Sequence, residues 1–215
     1  NTDTSESGYE VDIVKGAAKE LGIEIVFDKT AASPDELVAL VVDGKADLAV
    51  GKLNVTQDRA SKVSFVYPYI IIKEALLVKN SRFDYFKSSS KDKTFPDFNS
   101  KLAVDDAMSY AANASQRLPN AQVFPMKRDE IVRELKKDKL EAVFLDTVEA
   151  RNILAANEDV KANYKLFLFH GGDMRISLAV SQKLPRLRLW LNNYIKEDLP
   201  LVSLDKLYEK YAGTE

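Results

Sequence analysis

The sequence predicts an α/β fold in which helices and strands alternate along the chain. Residues 11–21 have apolar positions on one helical face, and the β-branched run 23–27 follows. A second helical segment begins after Ser33, and the short apolar run 47–50 comes next. This order of elements is typical of a parallel sheet covered by helices. With 215 residues, of which 46% are hydrophobic, the chain is long enough for one large or two small domains.

The composition argues against several classes of protein. A net charge of -2 gives no basic surface for nucleic acid. No run reaches the roughly 20 apolar residues of a membrane span. The chain has no cysteine, and its single histidine, His170, has no cysteine or second histidine nearby, which makes it a poor candidate for a metal ligand. We therefore expect no disulfide, no metal site, no cofactor and no nucleic-acid partner.

The first two helices have clear boundary signals. Gly22 ends the first helix, because glycine readily takes the left-handed conformation of a C-terminal cap. Residues 33–36, Ser-Pro-Asp-Glu, predict a capping box with proline at the first helical position, and Gly44 closes this second helix.

The segment 47–69 contains the candidate binding motif. Gly51 ends the strand, Thr56 is a favourable N-cap, and Asp58 places an acid in the first helical turn. Arg59 breaks the local rule, because a cation in the first turn meets the positive end of the helix dipole. Backbone N–H groups, a hydroxyl and a guanidinium together predict an anion site. The alternative is that Arg59 is a solvated surface residue.

The rest of the chain continues the alternation. The apolar run 70–78 is long, and residues 80–100 are polar and predict a surface excursion. Asp146 ends a buried strand and reads as an N-cap with Glu149 as its capping-box partner. Further strands are predicted at 102–104, 122–124, 141–145, 165–169 and 175–179, and further helices at 107–117, 128–136, 184–197 and 203–211.

Two motifs identify a resemblance to a known family. Asn-Val-Thr-x-x-Arg at 54–59 and Val-Ser-Phe-x-x-Pro-Tyr at 63–69 resemble the signature of the family 3 extracellular solute-binding proteins, the periplasmic amino-acid-binding proteins. The resemblance extends from Gly8 to about Gly213. It implies a two-lobe, type II periplasmic-binding-protein-like α/β fold with two hinge crossings and the ligand in the interlobe cleft. Lobe 1 would comprise residues 1–77 and 178–215, and lobe 2 residues 78–177.

The resemblance also implies roles for individual residues. Arg59 would pair with a ligand α-carboxylate, assisted by Thr56 and Asn54. Asn54 stands where the family usually has Thr or Ser, so its backbone N–H is the group expected to serve. Asp146 would receive the α-amino group, and one of its oxygens can cap the helix at the same time.

Other positions depart from the family pattern. The Gly-Ser-Thr-like turn of the family is replaced by residues 105–109, in which Ser109 keeps a hydroxyl and Asp105 suggests a cationic ligand side chain. Pro34 stands where a stacking aromatic is usual, and the family's first strand has no counterpart before Gly8. We therefore expect the intact protein to carry at least one more strand before Asn1.

The function implied is capture of an α-amino acid and its delivery to an ABC importer. We expect a monomer without enzyme activity, located in the periplasm or outside the cell, with ABC permease subunits as partners; lipid or membrane anchoring stays open. A ligand-binding sensor domain of a membrane receptor or kinase is the alternative. A third reading is an enzyme resembling cyclohexadienyl dehydratase, with Asp105 or Asp106 as the general acid.

Overall fold

The structure is a computed structural model that describes residues 8–88, 94–106 and 110–199. The chain forms two compact units, and the backbone passes from one to the other between Ile71 and Ile72 and again between Met174 and Arg175. We call the unit between these crossings unit 2 and the other unit 1. The lobe boundaries predicted from the sequence, after residues 77 and 177, lie a few residues farther along the chain.

Helices and strands alternate through both units, which confirms the predicted α/β class. In chain order the elements are α1 (Tyr9–Leu21), α2 (Pro34–Val42), β1 (Leu48–Ala49), α3 (Gln57–Lys62), β2 (Ser64–Phe65), β3 (Ile70–Lys79), α4 (Asn80–Ser88), β4 (Lys101–Asp105), α5 (Tyr110–Arg117), β5 (Gln122–Met126), α6 (Arg128–Lys136), β6 (Ala142–Asp146), α7 (Thr147–Ala156), α8 (Glu158–Asn163), β7 (Tyr164–Ile176), β8 (Ala179–Val180) and α9 (Pro185–Asn193), and a π-helical turn (Tyr194–Asp198) follows α9.

The predicted boundary signals of α1 and α2 are confirmed. Gly22 has φ 66°, in the left-handed region, and ends α1. Ser33 Oγ accepts a hydrogen bond from the Glu36 N–H at 3.3 Å, and Pro34 is the first helical residue. The Glu36 carboxylate accepts from the N–H of Ala32 at 2.8 Å, one residue before the N-cap. The capping box is therefore formed, but the Glu36 carboxylate accepts from the N–H of the residue before the N-cap instead of from the N–H of the N-cap itself.

The described sheet of unit 1 is short and antiparallel. Strand β8 lies between β1 and β2 and is antiparallel to both. Two apolar clusters cover this sheet. One contains residues of α1 and α9, and the other contains Val38 and Val41 of α2 together with Leu53 and Val63. The second cluster supports the segment that contains the candidate binding motif.

The strand predicted at residues 23–27 is wrong. These residues are in no strand, and Ile23 and Val26 are 58% and 94% exposed. Their β-branched side chains favour extended backbone, but a strand also requires a hydrogen-bonded neighbour, and none of the described strands pairs with this segment. Ile25 packs partly against the core of unit 1.

Unit 2 contains a mixed sheet in the order β5-β4-β6-β3-β7. Strand β4 is parallel to both β5 and β6, while β6 is antiparallel to β3. Parallel ladders therefore occur in unit 2, whereas the described sheet of unit 1, where the order of elements predicted a parallel sheet, is antiparallel. Helices α6, α7 and α8 contribute to a core on one side of this sheet through Ile131, Ile153 and Val160.

The surface excursion predicted for residues 80–100 differs from the structure at its aromatic positions, and residues 89–93 lie outside the described part of the chain. Helix α4 occupies its first part, and Phe86, Phe95 and Phe98 are buried. They pack with Phe167 and other aromatic rings, with ring centroids 5.0 to 5.4 Å from that of Phe86. The many polar residues between the aromatic positions conceal this pattern in the sequence.

The two strands predicted near the second crossing also differ from the structure. Residues 165–169 belong to the single long strand β7, which continues to Ile176. The strand predicted for 175–179 is therefore divided between the end of β7 and the start of β8. The helix predicted for 203–211 lies outside the described residues.

Candidate functional site

The candidate site in unit 1 begins at the extended segment after β1. Asn54 forms an isolated antiparallel bridge with Ile176. The bridging hydrogen bonds come from its neighbours, from Ser177 N to Leu53 O at 3.0 Å and from Val55 N to Arg175 O at 2.9 Å. The N–H and C=O of Asn54 itself therefore face away from that partner strand. They point to the side where Arg59 lies, because the Asn54 carbonyl accepts from Arg59 Nη1 at 3.3 Å.

Thr56 is the N-cap of α3, as the sequence predicts. Its Oγ1 accepts a hydrogen bond from the Arg59 N–H at 3.2 Å, and its backbone is extended. In this bond the hydroxyl acts as the acceptor, so its own proton is available for donation to another group. The hydroxyl can therefore cap the helix and bind an anion at the same time.

Arg59 is buried, so the solvated-surface alternative is wrong. Its side chain is 6% exposed, and its guanidinium donates to a carboxylate of the same unit, that of Asp35. Arg59 Nε and Nη2 both donate to Asp35 Oδ1, at 3.2 and 2.9 Å. The anion site predicted from the sequence therefore contains an anion that the chain itself provides.

The two residues of this ion pair lie on helices that adjoin the same apolar cluster of unit 1. Asp35 lies in the first turn of α2, whose Val38 and Val41 are core residues, and Arg59 lies in α3, which ends beside the core residue Val63. At Gly51, φ is 152° and an added Cβ would collide with the Leu37 side chain of α2. Close packing of β1 against α2 therefore fixes the position of the loop that leads to Arg59.

Asp35 was missed as a site residue by the sequence analysis. Its position in the first turn of α2 accounts for it locally, because acids are favourable there. The ion pair joins residues 24 positions apart, and no local spacing predicts it. The sequence offered one indirect signal for such a partner. Arg59 lies in the first turn of a helix, where a cation is unfavourable without an anion, and the preceding helix α2 has acids in its first turn.

Asp146 occupies the corresponding candidate position in unit 2. It ends β6, is fully buried, and its Oδ1 accepts from the Glu149 N–H at 2.9 Å, which confirms the predicted N-cap. Its Oδ2 accepts from the Tyr110 hydroxyl at 2.5 Å. Oδ2, the oxygen that was expected to face a ligand, thus accepts a hydrogen bond from the protein itself. Each carboxylate oxygen can accept a second hydrogen bond, so a ligand can still bind there.

Several negative groups surround the Tyr110 hydroxyl. Burial raises the pKa of Tyr110 well above its ordinary value, and the charge and hydrogen bond of Asp146, followed by the charges of Glu149 and Asp105, raise it further. Arg128 Nε lies 2.8 Å from Glu149 Oε1 and supplies positive charge to this group. Asp105, Asp146 and Glu149 nevertheless make the carboxyl ends of β4 and β6 electronegative, because the one arginine offsets only part of their charge.

The remaining predicted site residues divide into two cases. Asp105 is buried, 8% exposed, and ends β4, which is parallel to β6, so it lies at the same sheet edge as Asp146. Ser109 lies outside the described residues. Unit 1 thus brings Arg59, Thr56 and Asn54 together, and unit 2 places Asp146 and Asp105 at one edge.

A second buried carboxylate adjoins Asp146. Glu74 accepts from Arg117 Nε at 2.7 Å and from Asn113 Nδ2 at 2.8 Å, and both donors lie on α5. Arg117 also donates to the carbonyl of Gly171 at 3.0 Å. At Gly172 an added Cβ would lie 2.9 Å from Glu74 Oε2 and 3.1 Å from Arg117 Nη2. The glycine therefore makes room for the ion pair.

Two further properties concern the described part of the chain. Residues 8–88, 94–106 and 110–199 contain no cluster of three or more His, Asp or Glu side chains placed to hold a metal ion. Among the helices that the structure describes, none is long and apolar enough to cross a membrane.

Comparison with known proteins identifies relatives of the chain. It is 28% identical over 164 residues to a probable histidine-binding protein of Campylobacter jejuni, a match that covers 76% of this chain and 60% of the relative. The chain thus spans less than two thirds of the length of that relative.

Solved structures give the fold. An ancestral amino-acid-binding protein, described as a precursor of cyclohexadienyl dehydratase, is similar with 27% identity and a TM-score of 0.72, over 95% of this chain and 84% of that protein. A putative ABC transporter binding component from Wolinella succinogenes, complexed with lysine, has 24% identity and a TM-score of 0.75, over 95% and 85%. These similarities confirm the type II two-lobe fold. The family model for bacterial extracellular solute-binding proteins, family 3, matches residues 1–214, and the chain therefore belongs to this family.

Proposed function

We propose that the protein is an extracytoplasmic receptor that captures an α-amino acid and delivers it to an ABC importer. The observation that carries this proposal is the buried Arg59, whose guanidinium binds a carboxylate in unit 1. A buried arginine needs a compensating anion, and its planar set of N–H donors suits a carboxylate. The ligand α-carboxylate would bind Arg59 with help from the Thr56 hydroxyl and the Asn54 N–H.

The amino group of the ligand would bind Asp146. This assignment is supported by the full burial of Asp146 and by the electronegative environment that Asp105 and Glu149 create around Tyr110. A buried carboxylate stabilises an ammonium group strongly. Beside a neutral or anionic ligand group, the charge of the carboxylate itself would lack a compensating partner on the ligand. Arg59 and Asp146 together would select a zwitterion over a plain acid or a plain amine.

We further propose that the ligand side chain is cationic. Asp105 is a buried acid at the same sheet edge as Asp146, where a second positive charge on the ligand would be stabilised. One of the similar structures is consistent with this proposal, since it was solved with lysine. Ser109 remains a predicted contact.

The partners and location follow from the family. From the family we propose ABC permease subunits as partners and a position in the periplasm or outside the cell. The monomeric state stays a prediction. Most of the similar proteins are binding proteins, and on that basis we propose that the chain is not an enzyme. The similarity to a precursor of cyclohexadienyl dehydratase keeps the enzyme as a second candidate.

A calorimetric comparison of three probes tests the proposed site. L-lysine carries both α-groups, 6-aminohexanoate lacks the α-amino group, and cadaverine lacks the carboxylate. We expect measurable binding of L-lysine and much weaker binding of both analogues, because each would leave a desolvated charge uncompensated. A thermal-shift screen of the twenty amino acids extends the test to other side chains, since a ligand at 100 times its Kd adds about 2.7 kcal/mol of stability.

Variants of the two charged residues identify which end of the ligand each binds. Arg59→Ala should weaken the binding of the amino acid found in the screen by about two to four decades, the equivalent of roughly 3–5 kcal/mol for a broken buried pair. Asp146→Asn keeps a capping oxygen, so it should weaken binding with little change in melting temperature. Arg188→Ala is the control, because it also removes an arginine of unit 1 whose Nε donates a hydrogen bond, in this case to the Phe65 carbonyl, although Arg188 is exposed.

Each competing reading has its own test. Unchanged affinity in Arg59→Ala, with the fold intact, would contradict the amino-acid receptor. Conversion of prephenate or arogenate would support the hypothesis of an enzyme resembling cyclohexadienyl dehydratase, and the absence of turnover would contradict that hypothesis. A membrane-spanning helix adjoining this segment in the full-length gene product would favour the sensor over the transport receptor.

A further inference from the structure

The ion pair between Asp35 and Arg59 is strongly asymmetric in its exposure. The Asp35 side chain is 80% exposed, whereas that of Arg59 is 6% exposed. An exposed carboxylate regains full hydration when it leaves its partner, but a buried guanidinium cannot leave without a large desolvation cost. If another anion replaced Asp35 as the partner of Arg59, the Asp35 side chain would therefore move into solvent and Arg59 would stay in place.

The geometry of the pair resembles the binding of a free carboxylate. Arg59 Nε and Nη2 are the two donors on one edge of the guanidinium, and Asp35 accepts from both of them with the single oxygen Oδ1. A carboxylate that binds the same edge with both of its oxygens makes two parallel hydrogen bonds, which is the stronger arrangement. A ligand carboxylate can therefore replace Asp35 at this edge with a gain in hydrogen-bond geometry.

We infer that Asp35 is a built-in competitor that occupies the carboxylate site of Arg59 and is displaced when a ligand carboxylate binds. This inference rests on the proposed function for the identity of the ligand, but the pair itself is observed. A competitor of this kind keeps the buried cation compensated before binding. It multiplies the apparent affinity by the fraction of molecules in which Asp35 has left Arg59. Asp35 thus lowers the affinity of the receptor for its ligand.

Asp35→Asn tests the inference, since the amide keeps the size of the side chain and removes its charge. For L-lysine, the Kd should fall by about two- to fivefold, the range that corresponds to a partly exposed ion pair. The Kd for cadaverine, which has no carboxylate, should not change. An unchanged or higher Kd for L-lysine in Asp35→Asn would overturn the inference, because a residue that merely orients Arg59 would weaken binding when removed.

Asp58→Asn is the matched control. It removes the same charge from unit 1, in the first turn of α3, but Asp58 pairs with Lys62 instead of Arg59. We expect its Kd for L-lysine to equal that of the unmodified protein. An equal tightening in both variants would show that overall charge is responsible and would contradict direct competition.

A second probe separates this inference from the proposed function. Sodium acetate is a carboxylate without an amino group, and its binding can be followed through the ¹⁵N-detected Nε–H signal of Arg59, assigned as the signal lost in Arg59→Lys. Acetate should shift this signal at a concentration about two- to fivefold lower in Asp35→Asn than in the unmodified protein. If no amino acid binds, the proposed function fails, and the acetate titration alone decides: equal or higher concentrations in the variant overturn the competition.

Discussion

Glu74 and Asp146 lie directly opposite each other across the β3–β6 ladder of unit 2. Two carboxylates in such positions repel each other unless each has its own donors. Helix α5 supplies these donors from one face, with Tyr110 bonded to Asp146, and Asn113 and Arg117 bonded to Glu74. The spacing of the three donor positions follows the helical repeat, so a single helix compensates both acids.

Gly172→Ala should destabilise the protein by disturbing the Glu74–Arg117 ion pair. The added Cβ would lie 2.9 Å from Glu74 Oε2 and 3.0 Å from Glu74 Cβ. The Cβ of Glu74 cannot easily move away, because it is attached to the backbone of strand β3. We expect the free energy of unfolding to fall by about 1–3 kcal/mol, as for other cases of overpacking. Urea denaturation followed by circular dichroism measures the change.

A double-mutant cycle with Arg117→Ala identifies the cause of that loss. If the alanine acts through the ion pair, its cost should be smaller in the background that lacks Arg117. Equal costs in both backgrounds would mean that the overlap with the Glu74 Cβ, and not the ion pair, is responsible.

Tyr110→Phe should change the response of stability to alkaline pH. The pKa of Tyr110 is raised in the folded protein, so its contribution to stability is fully present below the unfolded value, near 10, and is lost as the pH rises toward the folded value. We expect the unmodified protein to lose stability above about pH 10, and the variant to lose less over the same range. Denaturation series between pH 8 and 11 measure both slopes.

The same variant has a cost at neutral pH. Removal of the hydroxyl takes a donor from the fully buried Asp146, which should lower the free energy of unfolding by about 1–3 kcal/mol at pH 7. Tyr69 and Tyr164 also have raised pKa values, so the alkaline slope should become shallower without disappearing. Identical slopes for the two proteins would contradict the assignment to Tyr110.

Phe86→Ala tests whether α4 belongs to the core of unit 2. Phe86 is fully buried among aromatic rings, so truncation should lower the free energy of unfolding by about 3–5 kcal/mol. Phe83→Ala is the control on the same helix, because Phe83 is only half-buried and contacts Lys165 through its ring. A similar small loss in both variants would show that α4 packs more loosely than the structure indicates.

The local part of the candidate site could be predicted from the sequence. Thr56 and Asp146 are N-caps, and their side chains bond backbone N–H groups three residues later, a relationship that short-range spacing reveals. The placement of Arg59 near its helix start conflicts with the helix dipole, and this conflict indicated a site. The structure shows the arginine buried against a carboxylate.

The long-range part could not be predicted. The partner of Arg59 is Asp35, which lies on another helix, and nothing in the spacing of the chain links them. The run 23–27 has strand propensity, yet propensity does not create the neighbouring strand that a ladder requires. In residues 80–100, polar residues outnumber the aromatic ones, so composition concealed the buried Phe86, Phe95 and Phe98.

The chain order of the two units has a consequence for biosynthesis. Unit 2 is one continuous segment from Ile72 to Met174, whereas unit 1 requires residues from both sides of it. Strand β8, which lies between β1 and β2, is made only after unit 2 is complete. On a ribosome, where domains fold as they emerge, unit 2 can form its core while β1 and β2 still lack the strand that joins them. Arg59 is therefore synthesised before unit 2, whereas Ile176, which bridges the neighbouring Asn54, is synthesised only after unit 2 is complete.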